Sequence, residues 1–253
     1  MRSYQTGFYE SSNHMRNRAG RLKQAEKIAY ILTRLNASPV QLPAATCLDV
    51  GCSSGAITNA LAPLFARTIG TDYDAVALQH AERSGNRPPR LVCSDAMRLP
   101  LSDRSVDIIV CAQVYEHVPD DRCLVAELDR VLKPGGVIFF SGPNKLFPVE
   151  LHYNLIGVQW LPARLADRYM QLAGCGNQYY ERSRTMWSLR RLLKDFVIRD
   201  MTLEVLDLRL QQSTPRLRTK LLKRVPNSVW RLLVPFFPNF NWLLYKRDNY
   251  ESL

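Results

Sequence analysis

From residue 46 to 144 the apolar residues fall into short runs separated by stretches with helical spacing. Cys47, Leu48 and Val50 form one run, interrupted by Asp49 and ended by Gly51, the pattern of a buried parallel strand that empties into a tight turn. Beyond the turn, Gly55 leads into a segment where Ile57, Leu61, Leu64 and Phe65 recur at helical spacing. A strand, glycine turn and helix in this order bring bare backbone amides and a helix N-terminus to the carboxyl end of a strand, where a nucleotide-like ligand is expected. The alternation then repeats. A second strand ends at Asp72, Asp74 is placed as the N-cap of a helix running to about Ser84, and a third strand ends at Asp95. The run Ile108 to Ala112 predicts a fourth strand buried on both faces. A helix follows with Leu124, Leu128, Val131 and Leu132 inward, stopped by Pro134 and Gly135, and VIFFSGPN reads as a fifth strand. This succession predicts an α/β fold: an open, doubly wound, mostly parallel sheet covered by helices on both faces.

The flanks carry weaker patterns. Residues 17–35 predict an amphipathic helix with Leu22, Ala25, Ile28, Ala29, Leu32 and Leu35 on one stripe, packed at the sheet edge. Tyr4, Phe8, Tyr9 and His14 precede it, as a lid over a ligand or as a packed leader. After the fifth strand, residues 145–184 form an insert with Tyr153, Trp160, Tyr169, Tyr179 and Tyr180, which reads equally as an acceptor pocket wall or as a small core of its own. A helix at 187–196, a sixth strand in VIRDMTLEVLDLRL and a seventh in NWLLYKRD complete the chain. Between the last two lies an element at 215–238. Leu221, Leu222, Val225, Val229, Leu232 and Leu233 alternate there with Arg218, Lys220, Lys223, Arg224 and Arg231. It suits an anionic bilayer surface, or a helix packed on the sheet with a solvated basic face.

Composition sets the scale of the molecule. With 253 residues, 46% of them hydrophobic, the chain buries one sizeable core, and it is expected to form a single domain: a helical extension at 1–46, a core at 47–144, the insert, and the last strands at 185–253. The net charge of +11 is concentrated in the flanks, with +5 over residues 1–46, −2 over 47–183 and +8 over 184–253. Basic flanks favour an anionic partner: a phosphate-bearing substrate, nucleic acid or an anionic membrane. The six cysteines include no C-x-x-C pair, so they are expected to be reduced residues, most of them in the core, with no zinc or disulfide role. No run reads as a signal peptide or a spanning helix, and a cytoplasmic protein with at most peripheral membrane contact is expected.

The blocks LDVGCSSG, GTDYD, SDAMRLPLSDRSVDIIVCAQVYEHV, ELDRVLKPGG and VIFFSGPN, in this order, resemble the class I S-adenosylmethionine-dependent methyltransferases, in particular the broad small-molecule "type 11" group. The resemblance covers residues 47–144. It implies a seven-stranded Rossmann-like sheet whose last strand is antiparallel, and S-adenosylmethionine as cofactor. The family's G-x-G-x-G turn reads here as Gly51, Ser53 and Gly55, so that a serine stands where a glycine is usual. By resemblance, Asp49, Gly51, Cys52, Ser53 and Gly55 lie on the methionine side of the cofactor, Asp72 and Tyr73 at the ribose, Asp95 and Ala96 at the adenine, and Gln113 and Val114 beneath the methyl group. Asp49 and Asp95 also read as turn-bonding carboxylates of purely structural use. Asp107 opens the fourth strand at the opposite edge of the sheet and reads as structural. A dinucleotide would want G-x-G-x-x-G, and Ala56 stands in the last glycine's place.

Methyl transfer is an in-line displacement on an activated sulfonium, and it needs a base only where the acceptor must lose a proton. Candidates are His117, Glu150 and His152. The Glu150-x-His152 spacing suits one face of an extended segment, but no third ligand is evident and no metal is expected. The reading is a methyltransferase acting on oxygen or carbon of a small acceptor, free or lipid- or glycan-linked. RNA methylation is the alternative among enzymes, without any recognisable RNA module, and a cofactor-binding scaffold is the alternative outside them.

Overall fold

The computed structural model describes residues 17–34, 40–81, 88–212, 222 and 224–247. The aromatic leader (Tyr4, Phe8, Tyr9, His14), Leu35, Ser84, Arg218, Lys220, Leu221 and Lys223 lie outside the described residues.

The expected alternation is present. β1 (Thr46–Val50), α2 (Ala56–Leu61), β2 (Arg67–Asp72), α3 (Ala75–Gln79), β3 (Arg90–Cys93), β4 (Val106–Ala112), α4 (Asp121–Val131) and β5 (Leu132–Pro143) follow in order. Helix α1 (Arg18–Leu32) precedes them, and β8 (Phe196–Asp200) and β9 (Asn239–Lys246) close a seven-stranded sheet of order β3-β2-β1-β4-β5-β9-β8. All neighbours from β3 to β5 are parallel, while β9 runs antiparallel to both β5 and β8.

Period-two alternation along the central strands builds two cores, one on each face. Ile109 and Cys111 of β4, Ile138 and Phe140 of β5, and Phe240 and Trp242 of β9 pack with Leu124, Leu128 and Val131 of α4. Ile108, Val110, Val137, Phe139 and Leu243 pack on the other face with Ala25, Ile28, Ile31 and Leu32 of α1. Helix α1 therefore crosses the middle of the sheet rather than its edge, and Lys27 reaches Asn241 of β9 with Nζ 3.0 Å from Oδ1. Leu22 of the expected stripe is exposed.

Several boundaries differ from expectation: α3 ends at Gln79, short of the expected end at about Ser84, and β3 ends at Cys93, two residues ahead of Asp95. Helix α4 ends at Val131, ahead of Pro134, which belongs with Gly135 (φ +78°) to the opening of β5; proline restricts the residue before it to extended backbone, so the strand begins there. The sixth strand stops at Asp200, and Thr202–Gln212 is helix α7. Asp200 Oδ1 accepts the Thr202 amide at 2.9 Å, and Glu204 and Arg209 sit in the turns that suit their charges.

The insert folds on itself. A hairpin of β6 (Val149–Glu150) and β7 (Leu155–Ile156) and helix α5 (Ala163–Leu172) surround Val158, Ala166 and Met170, with Tyr153, Tyr169 and Tyr179 packed against them. Three of its aromatics thus join a satellite core while Trp160 is exposed, and only Leu151 and His152 of this segment reach the main cavity. Arg184 fastens its far end to Asp121, Nη2 to Oδ1 at 2.8 Å, just ahead of α6 (Met186–Leu192). Asp107 is structural, as expected: it accepts the Thr46 amide and the Lys133 ammonium, each at 2.9 Å. All six cysteines are free; Cys47, Cys52 and Cys111 are buried, whereas Cys93 and Cys123 are exposed rather than core residues. Among the described residues no helix is long and apolar enough to cross a membrane.

Candidate active site

A cavity of about 400 Å³ opens at the carboxyl ends of β1, β2 and β4, the position at which ligands bind open α/β sheets. The turn after β1 forms one wall. Gly51 has φ +71°, and a Cβ there would come within 2.7 Å of Val114 Cγ2. Ser53 adopts φ +52° despite its side chain. Its amide donates to Asp72 Oδ2 at 2.7 Å, a charge-assisted bond that offsets the cost of left-handed backbone. The amides of Gly51 and Cys52 both donate to the Thr71 carbonyl.

Asp72 and Asp74 both line the cavity, and Asp72 is the one tied to the glycine turn. It accepts from Ser53 and Asp74 amides at 2.7 and 2.8 Å. Burial raises its pKa, and these two amides act against the rise. Tyr73, Ala96, Gln113 and Val114 also face the cavity. Gln113 holds φ +61°, with its Nε2 3.3 Å from Asn239 Oδ1.

The other expected cofactor residues stand behind this wall. Asp49 is buried, and its Oδ2 receives the Thr58 hydroxyl at 2.6 Å. Asp95 Oδ1 receives the Met97 amide at 2.8 Å, the turn-bonding alternative, so Ala96 alone of that pair reaches the cavity. Cys52 packs where a Cβ on Gly70 would lie, and Gly55 (φ +72°) starts α2.

Burial pushes the Asp49 pKa from 3.8 to about 7, with the Thr58 hydroxyl acting against it. The folded protein therefore binds this proton more tightly than the unfolded chain, and the contribution of Asp49 to stability is lost as pH rises from about 4 through about 7. Asp49→Asn keeps the shape without the charge. Its melting temperature without ligand is expected to match the wild type near pH 4 and to exceed it by about 5 °C or more at pH 8. A gap that fails to widen with pH in calorimetric scans refutes this assignment.

The far end of the cavity carries His117 and His152. Glu150 lies behind them. It accepts the amides of His152 and Tyr153 at 2.9 Å, and its Oε1 is 2.7 Å from His152 Nδ1. Burial disfavours a charge on His152, but that bond and the Glu116 carboxylate prevail and lift its pKa to about 9. His117 moves the other way, lowered by burial and by His152. The structure thus brings the three proton-transfer candidates together, with Glu150 as the group that orients His152.

Several residues on or near this site had no individual signal in the sequence. Arg21 and Lys27 arrive from α1 and Arg209 from α7, the segment read as strand. Thr71 and Ser94, together with the expected Ser53, line the cavity with buried hydroxyls that lack a hydrogen-bond partner. Unpartnered buried hydroxyls beside an acid at a glycine turn fit a ligand rich in polar groups, such as an adenosyl cofactor with an amino-acid tail.

Residues 48–140 match the methyltransferase domain family. The chain is 32% identical over 149 residues to the ubiquinone biosynthesis O-methyltransferase of Coxiella burnetii, covering 57% of this chain and 63% of that protein. It is 29% identical over 146 residues to the enzyme of the same name from Methylococcus capsulatus, covering 56% and 61%. The match thus spans a little over six-tenths of the length of these relatives. A chain of the complex between the Haloferax volcanii Trm112 methyltransferase activator and its methyltransferase superposes with a TM-score of 0.62 at 16% identity, covering 96% of this chain and 99% of that one. An S-adenosylmethionine-dependent methyltransferase of Mesorhizobium loti gives 0.57 at 14%, covering 88% and 99%. The solved structures share the fold, and the family match over residues 48–140 covers the glycine turn and the strands beside it, so this part of the chain is similar to the class I S-adenosylmethionine-dependent methyltransferases.

Proposed function

We propose that the protein methylates an oxygen of a small hydroxylated acceptor that carries an apolar, lipid-like portion. One observation carries the reading: a single cavity joins Asp72 at one end to His117 and His152 at the other. The first end suits the cofactor's ribose and the second a hydroxyl. The curated relatives act, by name, on oxygen in ubiquinone biosynthesis, which favours oxygen over carbon.

When bound, S-adenosylmethionine supplies a methyl group on a sulfonium: the new O–C bond forms as the S–C bond breaks, the sulfur becomes a neutral thioether, and the acceptor hydroxyl proton leaves to water. Everything else falls to the chain. Asp72 would accept from the ribose hydroxyls with its remaining lone pairs, the hydroxyls of Ser53, Thr71 and Ser94 would gain partners, and Ala96 would meet the adenine. Gln113 and Val114 fix the floor beneath the methyl group, and Gly51 keeps Val114 in place. The His117 and His152 end holds the acceptor oxygen in line, which supplies much of the rate by orientation.

A lipid-linked acceptor would be met at a bilayer, and helix α8 (Asn227–Leu233) suits that contact. Leu232 is 76% exposed, Leu233 and Phe236 follow it at the surface, and Arg231 lies beside them.

Incubation with methyl-tritiated S-adenosylmethionine, a series of alkyl- and prenyl-substituted catechols, and bulk RNA tests the reading. Label is expected in the catechol ethers and to rise with anionic vesicles. Label in RNA alone, or in none of these, overturns it.

A further inference from the structure

Glu116, immediately beyond Tyr115 in the segment after β4, is fully buried, and neither of its carboxylate oxygens has a hydrogen-bond partner. An unpartnered buried carboxylate is costly, and a fold that keeps one calls for an explanation. What faces it are two imidazoles. Glu116 Oε1 lies 3.8 Å from His117 Nε2 and 3.9 Å from His152 Nε2, and the ligand atoms of the three residues fall within 4.8 Å of one another. His152 is already oriented: its Nδ1 is engaged by Glu150 Oε1 at 2.7 Å, which leaves Nε2 to face Glu116. Glu150 is in turn fixed by two backbone amides. A carboxylate on the far nitrogen of a histidine is the usual support for a metal ligand.

We propose that Glu116, His117 and His152 bind one divalent transition-metal ion of zinc-like preference, and that its open coordination position, facing the cavity, takes the acceptor oxygen. Two imidazoles and one carboxylate form a common set for catalytic zinc and related ions, whereas magnesium and calcium prefer oxygen donors throughout. Ligands held about 2.1 Å from a four-coordinate ion stand roughly 3.4 Å apart, so the two carboxylate–imidazole spacings need to close by about half an ångström and the set of three by at most about 1.4 Å. His117 and His152 both line the cavity, so the remaining positions are reachable from it. A hydroxyl bound there loses its proton to water more readily and is held in line as the nucleophile. The ion's part in the reaction rests on the oxygen-methylation reading; the site itself does not.

The test separates the two. Metal-free full-length protein is titrated with cobalt(II) chloride, followed by visible d–d absorption, and cobalt is then displaced with zinc chloride. About one equivalent is expected to bind, without the charge-transfer absorption of thiolate ligands. Glu116→Gln and His152→Ala are each expected to weaken binding by about ten-fold or more, while keeping a cooperative melt; Glu116→Asp, which draws the carboxylate back, serves if either fails to fold. Wild-type binding no tighter than in the variants, or thiolate absorption from the exposed Cys93 and Cys123, overturns the site. Full methylation of a catechol by chelator-treated protein overturns the ion's role. Tight cobalt binding with no oxygen methylation leaves the site standing and removes the reading of function.

Discussion

Asp72→Asn is expected to weaken binding of S-adenosylhomocysteine by about ten- to a hundred-fold, measured by calorimetry, while the melting temperature falls by only a few degrees. The carboxylate already accepts from two backbone amides and has further lone pairs directed at the cavity. Each hydrogen bond that a ribose hydroxyl would give to this charged acceptor contributes about 1.5–3 kcal/mol, and every 1.4 kcal/mol is ten-fold in affinity. Asparagine keeps one acceptor for one of the two amides but presents its NH₂ group to the other. The turn therefore loses about 1 kcal/mol, or about 2–4 °C in a chain of this size. Asp72→Ala would remove both amide partners, so a loss of affinity there would not separate turn from ligand. Unchanged affinity in Asp72→Asn moves the ribose elsewhere.

The contrast among Asp49, Asp72 and Asp95 shows how far the sequence could lead. Asp49 interrupts the first apolar run and Asp72 and Asp95 follow the second and third, and these runs place them at or just beyond the carboxyl ends of the first three strands. Which way each carboxylate turns depends on the nearest donor. Thr58 Oγ1, on the helix after the turn, captures Asp49, and the Met97 amide captures Asp95. Asp72 is held by amides on either side and still faces the cavity. Residues 202–212 mislead for a different reason. Leu203, Val205, Leu206, Leu208 and Leu210 satisfy a two-residue and a helical period alike, and the deciding feature is the bond from the Thr202 amide to Asp200. Glu116 was legible only as the neighbour of His117. Its significance depends on His152, brought to it from the insert 36 positions later in the chain, a tertiary event that no local pattern encodes.

Gly142→Ala is expected to lower the melting temperature by about 5 °C or more and to loosen the acceptor end of the cavity with it. A Cβ at this β5 position would run into Tyr115 Cε1 and lie 2.6 Å from Cδ1. Tyr115 has little room to yield: it is 1% exposed, its ring stacks on Phe140 at 5.7 Å, and its hydroxyl donates to the Pro143 carbonyl. Overpacking of this kind costs about 1–3 kcal/mol or more, at about 2–4 °C per kcal/mol. Val114 beneath the cavity and Glu116 beside the imidazoles flank Tyr115 in the chain, so a ring pushed aside shifts both. Tyr115→Leu should itself destabilise the fold by removing a buried ring. Because the two changes share one space, Gly142→Ala added to Tyr115→Leu should cost about 1 kcal/mol or more less than it does in the wild type. Thermal melts of the four proteins read this coupling directly, and strict additivity would mean that the Gly142 side of the ring is not the constraint. Where coupling appears, the glycine in the fifth strand is what lets a large aromatic stand behind the site and hold Val114 and Glu116 to their places.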